Sequence, residues 1–193
     1  SLKNFYSLFS NEQSKEIFNN IFPQLKFYER LKKFNKLNSK MKMRYDNNLI
    51  LSLLMIDQSN DYEYFCHKYK TSNSIKKRLK NISDNFENLN SKKFYSKENI
   101  KKLIYFSSKE HVIDLLLFSL CTNGKIKSQT IEELTDYIDA YKVPKFPISG
   151  NFLKDRGFKS GEDLGKILKK LEDKWISNNF NLDKNIINRI LKK

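Results

Sequence analysis

Residues that interrupt helices are scarce in this sequence. It has 5 glycines and 3 prolines among 193 residues, and the only glycine before Gly150 is Gly124. Because glycine and proline end helices and shape tight turns, their scarcity favours a chain of helices with few long loops. Sustained alternation of apolar and polar residues, the pattern of strands, is also missing. The sequence therefore predicts an all-α protein, an irregular array of about ten to twelve helices with a small C-terminal helical tail.

Cysteine, histidine and long apolar runs are scarce as well. Cys66 and Cys121 are too few for a disulfide scaffold, and His67 and His111 provide no ligand set at zinc spacing. The longest apolar run, residues 49–56, falls short of the roughly 20 residues that span a bilayer. No signal peptide is recognisable. We expect no metal site, no membrane partner and a cytoplasmic location.

Positive charge is in large excess. Lysine and arginine number 37 against 22 aspartates and glutamates, which gives a formal net charge of +15. Such an excess favours a polyanionic partner, and RNA or DNA is the usual one. Compositional bias is the alternative, because Ala140 is the only alanine while lysine, asparagine and isoleucine abound, as an AT-rich genome would impose.

Apolar residues at helical spacing, with capping signals at Ser10, Ser107 and Thr130, predict where the helices lie. Pro144 and Pro147 mark the clearest boundary, between a body and a smaller tail. The predicted helices run roughly over residues 2–9, 11–21, 24–37, 44–56, 60–69, 73–89, 97–106, 109–122, 129–142, 149–156, 161–178 and 183–192.

Most of the glycine is concentrated in one place. Four of the five glycines, at positions 150, 157, 161 and 165, fall within residues 145–176. Ser149 is placed to cap a short helix that Gly157 would end. Ser160, with Asp163 three residues later, resembles an acidic capping box that opens a longer amphipathic helix. Two helices are therefore predicted to meet at a tight glycine turn.

Basic residues surround the predicted start of the second helix. Unpaired N–H groups at its Gly161 end are suited to bind phosphate. We predict that the phosphate-binding residues of this turn are Lys154, Arg156, Lys159, Gly161 and Lys166. An ordinary helical hairpin with glycines for close packing is the alternative that spacing alone leaves open.

A second basic group lies on the predicted helix 73–89. Lys76 and Lys80 are one turn apart there, so both can contact successive phosphates of a nucleic-acid backbone. The predicted nucleic-acid contacts on this helix are Lys76, Lys77, Arg78 and Lys80, and a further stripe on helix 24–37 is formed by Arg30, Lys33 and Lys36. A plain solvated face is the alternative for each stripe.

The glycine-rich segment also carries a family resemblance. Its residues Pro147, Ser149, Gly150, Leu153, Gly157, Gly161, Gly165, Leu168, Trp175 and Ile176 resemble the C-terminal signature of bacterial class II tRNA nucleotidyltransferases, the CCA-adding enzymes and their poly(A) polymerase relatives. Departures from that signature are Ser160 and Glu162, where prolines are usual, and Phe152, where an acidic residue is usual.

Three earlier segments resemble the same family in order along the chain, at residues 21–25, 74–79 and 114–117. The resemblance implies three parts: the remainder of an RNA-binding neck over residues 1–58, a helical body over 59–143, and a tail with a glycine-turn hairpin over 144–193. It also implies that tRNA or another structured RNA is the partner.

The catalytic head of that family has no counterpart here, because no D-x-D metal pair or nucleotide-reading motif occurs. We therefore expect this chain to be inactive alone. The chain starts at Ser1 without an initiator methionine. We expect its function to be holding tRNA for its own N-terminal catalytic head, which by resemblance would use Mg²⁺ and a nucleoside triphosphate.

Two other classes of function remain open from the sequence. The glycine turn is compatible with a helix-hairpin-helix module that grips duplex DNA. The chain is also compatible with a helical protein-interaction scaffold, in which case its lysines reflect composition only.

Overall fold

The chain folds into helices joined by short connections. A computed structural model describes residues 11–191, and within this range there is no strand, so the all-α prediction is confirmed. The helices are α1 Glu12–Ile21, α2 Glu29–Asn35, α3 Ser39–Met43, α4 Asn47–Met55, α5 Asp61–Lys68, α6 Asn73–Asp84, α7 Lys97–Phe106, α8 Lys109–Thr122, α9 Ser128–Ala140, α10 Gly150–Lys154, α11 Glu162–Ser177 and α12 Lys184–Leu191. The helix predicted over residues 2–9 and the cap predicted at Ser10 lie outside the described residues.

Two compact units make up the chain, and they divide after Tyr141. The predicted tail began at residue 144, close to this division. The finer boundary between residues 1–58 and 59–143 stays a prediction. Buried residues from Leu25 to Ile138 form a single hydrophobic cluster, which contains residues from both sides of this predicted boundary.

Helix α8 is the centre of the first unit. Residues 112–121 are almost uninterrupted apolar side chains, and a helix that is apolar on all sides has to be surrounded by protein. It packs against α2, α4, α6, α7 and α9. The residues Leu116, Phe118 and Cys121 are fully buried. Helix α4, which contains most of the longest apolar run, is buried in the same way.

One carboxylate interrupts the apolar surface of α8. The side chain of Asp114 is 9% exposed, and both of its oxygens accept hydrogen bonds from Arg78 of α6, at 2.6 Å from Nε and 2.6 Å from Nη2. The remaining terminal nitrogen of Arg78 donates to Asp46, which caps α4 by accepting from the Leu49 amide. Burial lowers the pKa of the Arg78 guanidinium, but the hydrogen bonds to both carboxylates together raise it by a larger amount. The net pKa is above the ordinary value of arginine, so Arg78 stays charged. These ion pairs join α4, α6 and α8.

The helix predicted over residues 24–37 was too long. Helix α2 begins only at Glu29, and the five residues before it run past the C-terminal end of α4. There the Phe27 amide donates to the carbonyl of Leu54 at 3.0 Å. This bond satisfies one of the carbonyls that every helix leaves unpaired at its end. Because the two residues are far apart in the sequence, local periodicity does not predict the contact.

The prediction that Arg30 belongs to an exposed basic stripe was wrong. Its Nη1 donates to the carbonyls of Leu53 and Ile56 at 3.0 and 2.7 Å. Its guanidinium lies 3.9 Å from the centre of the Phe27 ring. Burial lowers the pKa of Arg30 to about 10. Arg30 therefore stabilises the end of α4, and its charge also interacts favourably with that helix terminus.

The predicted helix 73–89 ends early, at Asp84. The Asn85 side chain donates back to the carbonyl of Asn81 at 2.9 Å, a local bond of the kind that competes with continuing a helix. Two short 3₁₀ helices follow, Asn88–Asn90 and Lys92–Tyr95. The sequence pattern did not indicate these, nor the short helix α3, which Asn38 caps by accepting from the Met41 amide.

Two predicted capping residues were wrong by one or more positions. Ser108, not Ser107, caps α8 by accepting from the His111 amide at 3.2 Å. The Ser107 hydroxyl instead donates to the Leu103 carbonyl at the end of α7. Thr130 lies inside the first turn of α9, which has no side-chain cap. Adjacent serines offer equivalent local signals, so only the packing of the helices selects one.

The second unit has a small core of its own. Ile148, Leu153 and Leu171 are buried, and α11 presents Trp175 on the same apolar side. The indole of Trp175 packs against Phe146 and Phe180, with ring centres 5.4 and 4.9 Å apart. Trp175 is the only tryptophan of the chain. Its fluorescence therefore reports on this unit specifically.

Removal of the buried carboxylate should destabilise the first unit. For Asp114→Ala we expect the free energy of unfolding to fall by about 3 kcal/mol, because Arg78 loses its bidentate partner in a mostly buried position. Urea denaturation followed by circular dichroism measures this. The exposed pair between Lys40 and Asp136 serves as the control, and Asp136→Ala should cost less than about 1 kcal/mol. Equal losses for the two variants would contradict the role given to Asp114.

Two glycine variants of the second unit should change its stability in opposite directions. Gly165 lies inside α11, and a Cβ atom there would meet nothing within 4 Å, so Gly165→Ala should stabilise the unit by about 1 kcal/mol. Gly157 has a φ of +85°, so Gly157→Ala should destabilise it by about 1 kcal/mol. Denaturation followed by Trp175 fluorescence measures both changes. A loss of stability in Gly165→Ala would show that this glycine serves the fold.

Candidate functional site

The glycine turn begins where α10 ends. Ser149 caps α10 by accepting from the Phe152 amide at 3.3 Å, which confirms the predicted start of this helix. At the other end the Gly157 amide donates to the Lys154 carbonyl at 2.9 Å, and the Phe158 amide donates to the Leu153 carbonyl at 3.2 Å. These two bonds form a Schellman motif, which needs a positive φ at Gly157. The predicted helix stop at Gly157 is confirmed.

The start of α11 differs from the prediction. Gly161, not Ser160, occupies the N-cap position, with a φ of 144° that favours glycine. Neither Ser160 nor any other side chain caps the first turn, so the predicted capping box with Asp163 was wrong. The positive φ at Gly161 turns the chain into the helix and leaves the first-turn N–H groups to meet solvent or a ligand. Local spacing could not reveal this backbone conformation.

Close packing explains only one glycine of this segment. A Cβ atom added at Gly150 would lie 3.6 Å from a methyl carbon of Leu164, in ordinary contact. At Gly157, Gly161 and Gly165 an added Cβ would meet nothing within 4 Å, and all three residues are exposed. The turn therefore lies at the surface and is not sealed inside the core. This geometry counts against the interpretation of the segment as a hairpin whose glycines serve close packing.

A wide cleft opens beside the turn. Its volume is about 1520 Å³, and its walls come from the turn, from the first two turns of α11 and from α12. Four cationic and two carboxylate side chains line it, together with two asparagines and several apolar residues. We call this feature the turn cleft; its lining residues are Arg156, Gly157, Phe158, Lys159, Ser160, Gly161, Glu162, Asp163, Leu164, Lys166, Ile167, Asn185, Asn188, Arg189 and Leu191.

Four of the five residues predicted for this turn line the cleft. They are Arg156, Lys159, Gly161 and Lys166, whereas Lys154 is exposed on α10 outside the lining. The Lys166 ammonium lies 2.7 Å from the Glu162 carboxylate, one helical turn away and in an exposed position. Such a pair is worth little in water and opens readily.

The other cations of the cleft differ in their surroundings. The guanidinium of Arg156 stacks 3.5 Å from the centre of the Phe152 ring and donates to the Phe152 carbonyl. The side chains of Lys159 and Arg189 make no ion pair or hydrogen bond with residues 11–191. These two side chains are therefore the most readily available positive charges of the cleft.

Sequence reasoning missed the contribution of α12. Asn185, Asn188 and Arg189 line the cleft, and none of them was predicted as a site residue. Their spacing of three and four positions places them on one face of the helix, opposite Ile187, which packs on the core of this unit. A search for polar faces on the last amphipathic helix would have found them.

In the first unit, the four basic residues predicted on α6 have different surroundings. Lys76 and Lys77 are exposed and make no ion pair with the described residues. Lys80 contacts both carboxylate oxygens of Asp84 at 2.9 Å, and Arg78 is held by Asp114 and Asp46. Of the four, Arg78 holds α6 against α8 and α4 through its two carboxylate partners. Only Lys76 and Lys77 can bind a ligand without first breaking a contact within the described part of the fold.

Among residues 11–191, no three His, Cys, Asp or Glu side chains lie close enough together to hold a metal ion. No described helix combines the length and the apolar character needed to cross a bilayer. The two cysteines are buried and separate, and burial raises the pKa of the Cys121 thiol to about 11, so this thiol is a poor nucleophile at neutral pH.

Comparison with known proteins identifies the family. A family model described as "tRNA nucleotidyltransferase domain 2 putative" matches residues 41–191, more than half of the chain. Two curated relatives named "CCA tRNA nucleotidyltransferase 1, mitochondrial" also match. The one from Danio rerio is 34% identical over 59 residues, which are 31% of this chain and 14% of the relative. The one from Mus musculus is 28% identical over 68 residues, 35% of this chain and 16% of the relative.

Only a small part of each relative is therefore matched, and the matches to the relatives establish nothing about the activity of this chain. The family model covers all of the helices from α4 to α12, including the turn cleft and the basic residues of α6. Because of this match, the chain belongs to the tRNA nucleotidyltransferase family.

Proposed function

We propose that this chain is the RNA-binding region of a CCA-adding or poly(A)-adding enzyme of the bacterial class II type, and that it positions the 3′ end of tRNA for nucleotidyl transfer by a separate N-terminal head. Family membership supports this proposal, as does the resemblance of the glycine-rich segment to the C-terminal signature of that class. The observation that carries it is the exposed glycine turn at the turn cleft, with Lys159 and Arg189 available beside it.

The chemistry of the turn suits a phosphate backbone. Uncapped N–H groups at the start of α11 are hydrogen-bond donors, and the helix dipole adds partial positive charge at the same point. The absence of side chains at Gly157 and Gly161 allows a ligand to approach the backbone closely. Glu162 and Asp163 lie in the first turn and oppose an anion. Lys159, Lys166 and the two arginines of the cleft offset these carboxylates, so the local balance is positive.

A second contact region is proposed on α6. Lys76 and Lys77 project from the exposed side of this helix, because Arg78 and Leu79 are held on the opposite side by Asp114 and by the core. Lys80 joins them once it leaves Asp84. Phosphate contacts of this kind fix the position of an RNA without reading its sequence, so shape and charge would supply the selectivity for tRNA.

Catalysis is proposed to lie elsewhere in the enzyme. Nucleotidyl transfer by two metal ions needs carboxylates that hold the ions, and residues 11–191 contain no cluster that fits them. Mg²⁺ and the nucleoside triphosphate would therefore bind the head, which also decides between CCA and poly(A) addition. The role of this chain is binding and alignment.

Affinity for tRNA should depend steeply on salt, and single lysines should set part of that dependence. Each phosphate contact releases counterions, so log affinity falls linearly with log salt, and Lys76→Ala or Lys159→Ala should reduce the slope by about one each. Lys80→Ala should reduce it less, because Asp84 already compensates its charge. Fluorescence anisotropy with labelled tRNA at several salt concentrations measures the slopes.

Lys40→Ala is the matched control, because Lys40 lies in an exposed pair with Asp136 away from α6. An unchanged slope in both Lys76→Ala and Lys159→Ala would remove these residues from the interface. Duplex DNA bound as tightly as tRNA at equal salt would favour a helix-hairpin-helix module. Little affinity for any polyanion would favour the protein-interaction scaffold.

A further inference from the structure

The turn cleft is larger and more apolar than a site for a phosphate backbone needs to be. Its volume of about 1520 Å³ exceeds the range of roughly 300–1,000 Å³ that is usual for small-molecule pockets, so a segment of a macromolecule fits it better than a metabolite. Apolar side chains form part of the lining, among them Phe158 and Leu164, which are only partly buried by the core of this unit. A charged phosphate is not stabilised by contact with such an apolar surface.

The two asparagines of α12 point to a different ligand group. Asn185 and Asn188 line the cleft one helical turn apart, and neither side chain forms a hydrogen bond with residues 11–191. An amide both donates and accepts hydrogen bonds, whereas a phosphate at neutral pH only accepts. Lysine or arginine would serve a phosphate better at these positions. The edge of a nucleobase, which carries donors and acceptors side by side, uses both functions of an asparagine.

The remaining lining residues suit the other parts of a nucleotide. An aromatic ring such as that of Phe158 offers a surface against which an unstacked base packs, and this contact accepts any base. Lys159 and Arg189 provide charge for the phosphates on either side of that base. An aromatic ring, two amides one helical turn apart and two cations without ion-pair partners in the described part of the chain therefore line the same cleft.

We propose that the turn cleft takes an unpaired nucleotide of a folded RNA, with its base against Phe158, its edge on Asn185 and Asn188, and its flanking phosphates on Lys159 and Arg189. This inference rests on the proposed RNA-binding function and specifies which part of the RNA enters the cleft. A fully paired helix cannot supply such a base, because its bases stay stacked and its edges are engaged.

The test compares two RNAs and two asparagine variants of the full chain. The RNAs are a tRNA transcript, which has single-stranded loops, and a fully paired RNA duplex of similar length. Asn188→Ala and Asn185→Ala should each weaken tRNA binding by about three- to tenfold, the loss of one hydrogen bond, and leave duplex binding unchanged. The salt slope should stay the same, because no charge is removed.

Asn20→Ala is the matched control, since Asn20 is an exposed asparagine of α1 in the other unit. Alanine favours helix at all three positions, so the variants should fold, and circular dichroism checks this. Unchanged tRNA affinity in both cleft variants would overturn the proposal. An equal loss for tRNA and duplex would also overturn it, since it would indicate a backbone contact.

Two further outcomes separate this inference from the proposed function. If the unmodified chain binds neither RNA at low salt, the proposed function itself fails. Binding of the four nucleoside monophosphates without any RNA binding would indicate a site for free nucleotides and would overturn the proposal. Weak competition by a monophosphate for tRNA, lost in Asn188→Ala, would support it.

Discussion

The ion pair between Asp114 and Arg78 constrains much of the first unit. Helix α8 is surrounded by other helices, so its one buried carboxylate has to be met by a cation from a neighbour. Arg78 meets it from α6 and also reaches Asp46 at the start of α4. This requirement fixes which side of α6 faces α8. As a result Lys76 and Lys77 lie on the exposed side, where the proposed function needs them.

Positive charge has two distinct roles in this protein. Some cations belong to the fold: Arg78 holds two carboxylates, and Arg30 stabilises the end of α4 through two carbonyls. Others have no partner in the described chain, and Lys159 and Arg189 at the turn cleft are examples. Net charge alone does not separate the two groups. The hydrogen bonds within the fold separate them, because a cation that is already held by the fold is not available to bind an RNA.

Several features could be predicted from the sequence because local physics determines them. The scarcity of glycine and proline predicted an all-helical chain, and Ser149 and Gly157 marked the ends of α10 correctly. Errors arose where a distant contact outweighed the local pattern. Residues 24–28 run past the end of α4 instead of forming a helix, and the backbone at Gly161 turns the chain where a Ser160 cap was predicted. Local spacing contains no information on either.

By itself the sequence determined the helical class, the family resemblance and the basic glycine turn, because composition, residue order and capping preferences are local properties. Tertiary structure decided which basic residues are available and what accompanies them. Packing of α8 turned Arg78 inward, and folding of α12 beside the turn brought Asn185 and Asn188 to Lys159, more than twenty residues earlier in the chain. Such neighbours depend on how helices pack in space, which the order of residues along one helix does not specify.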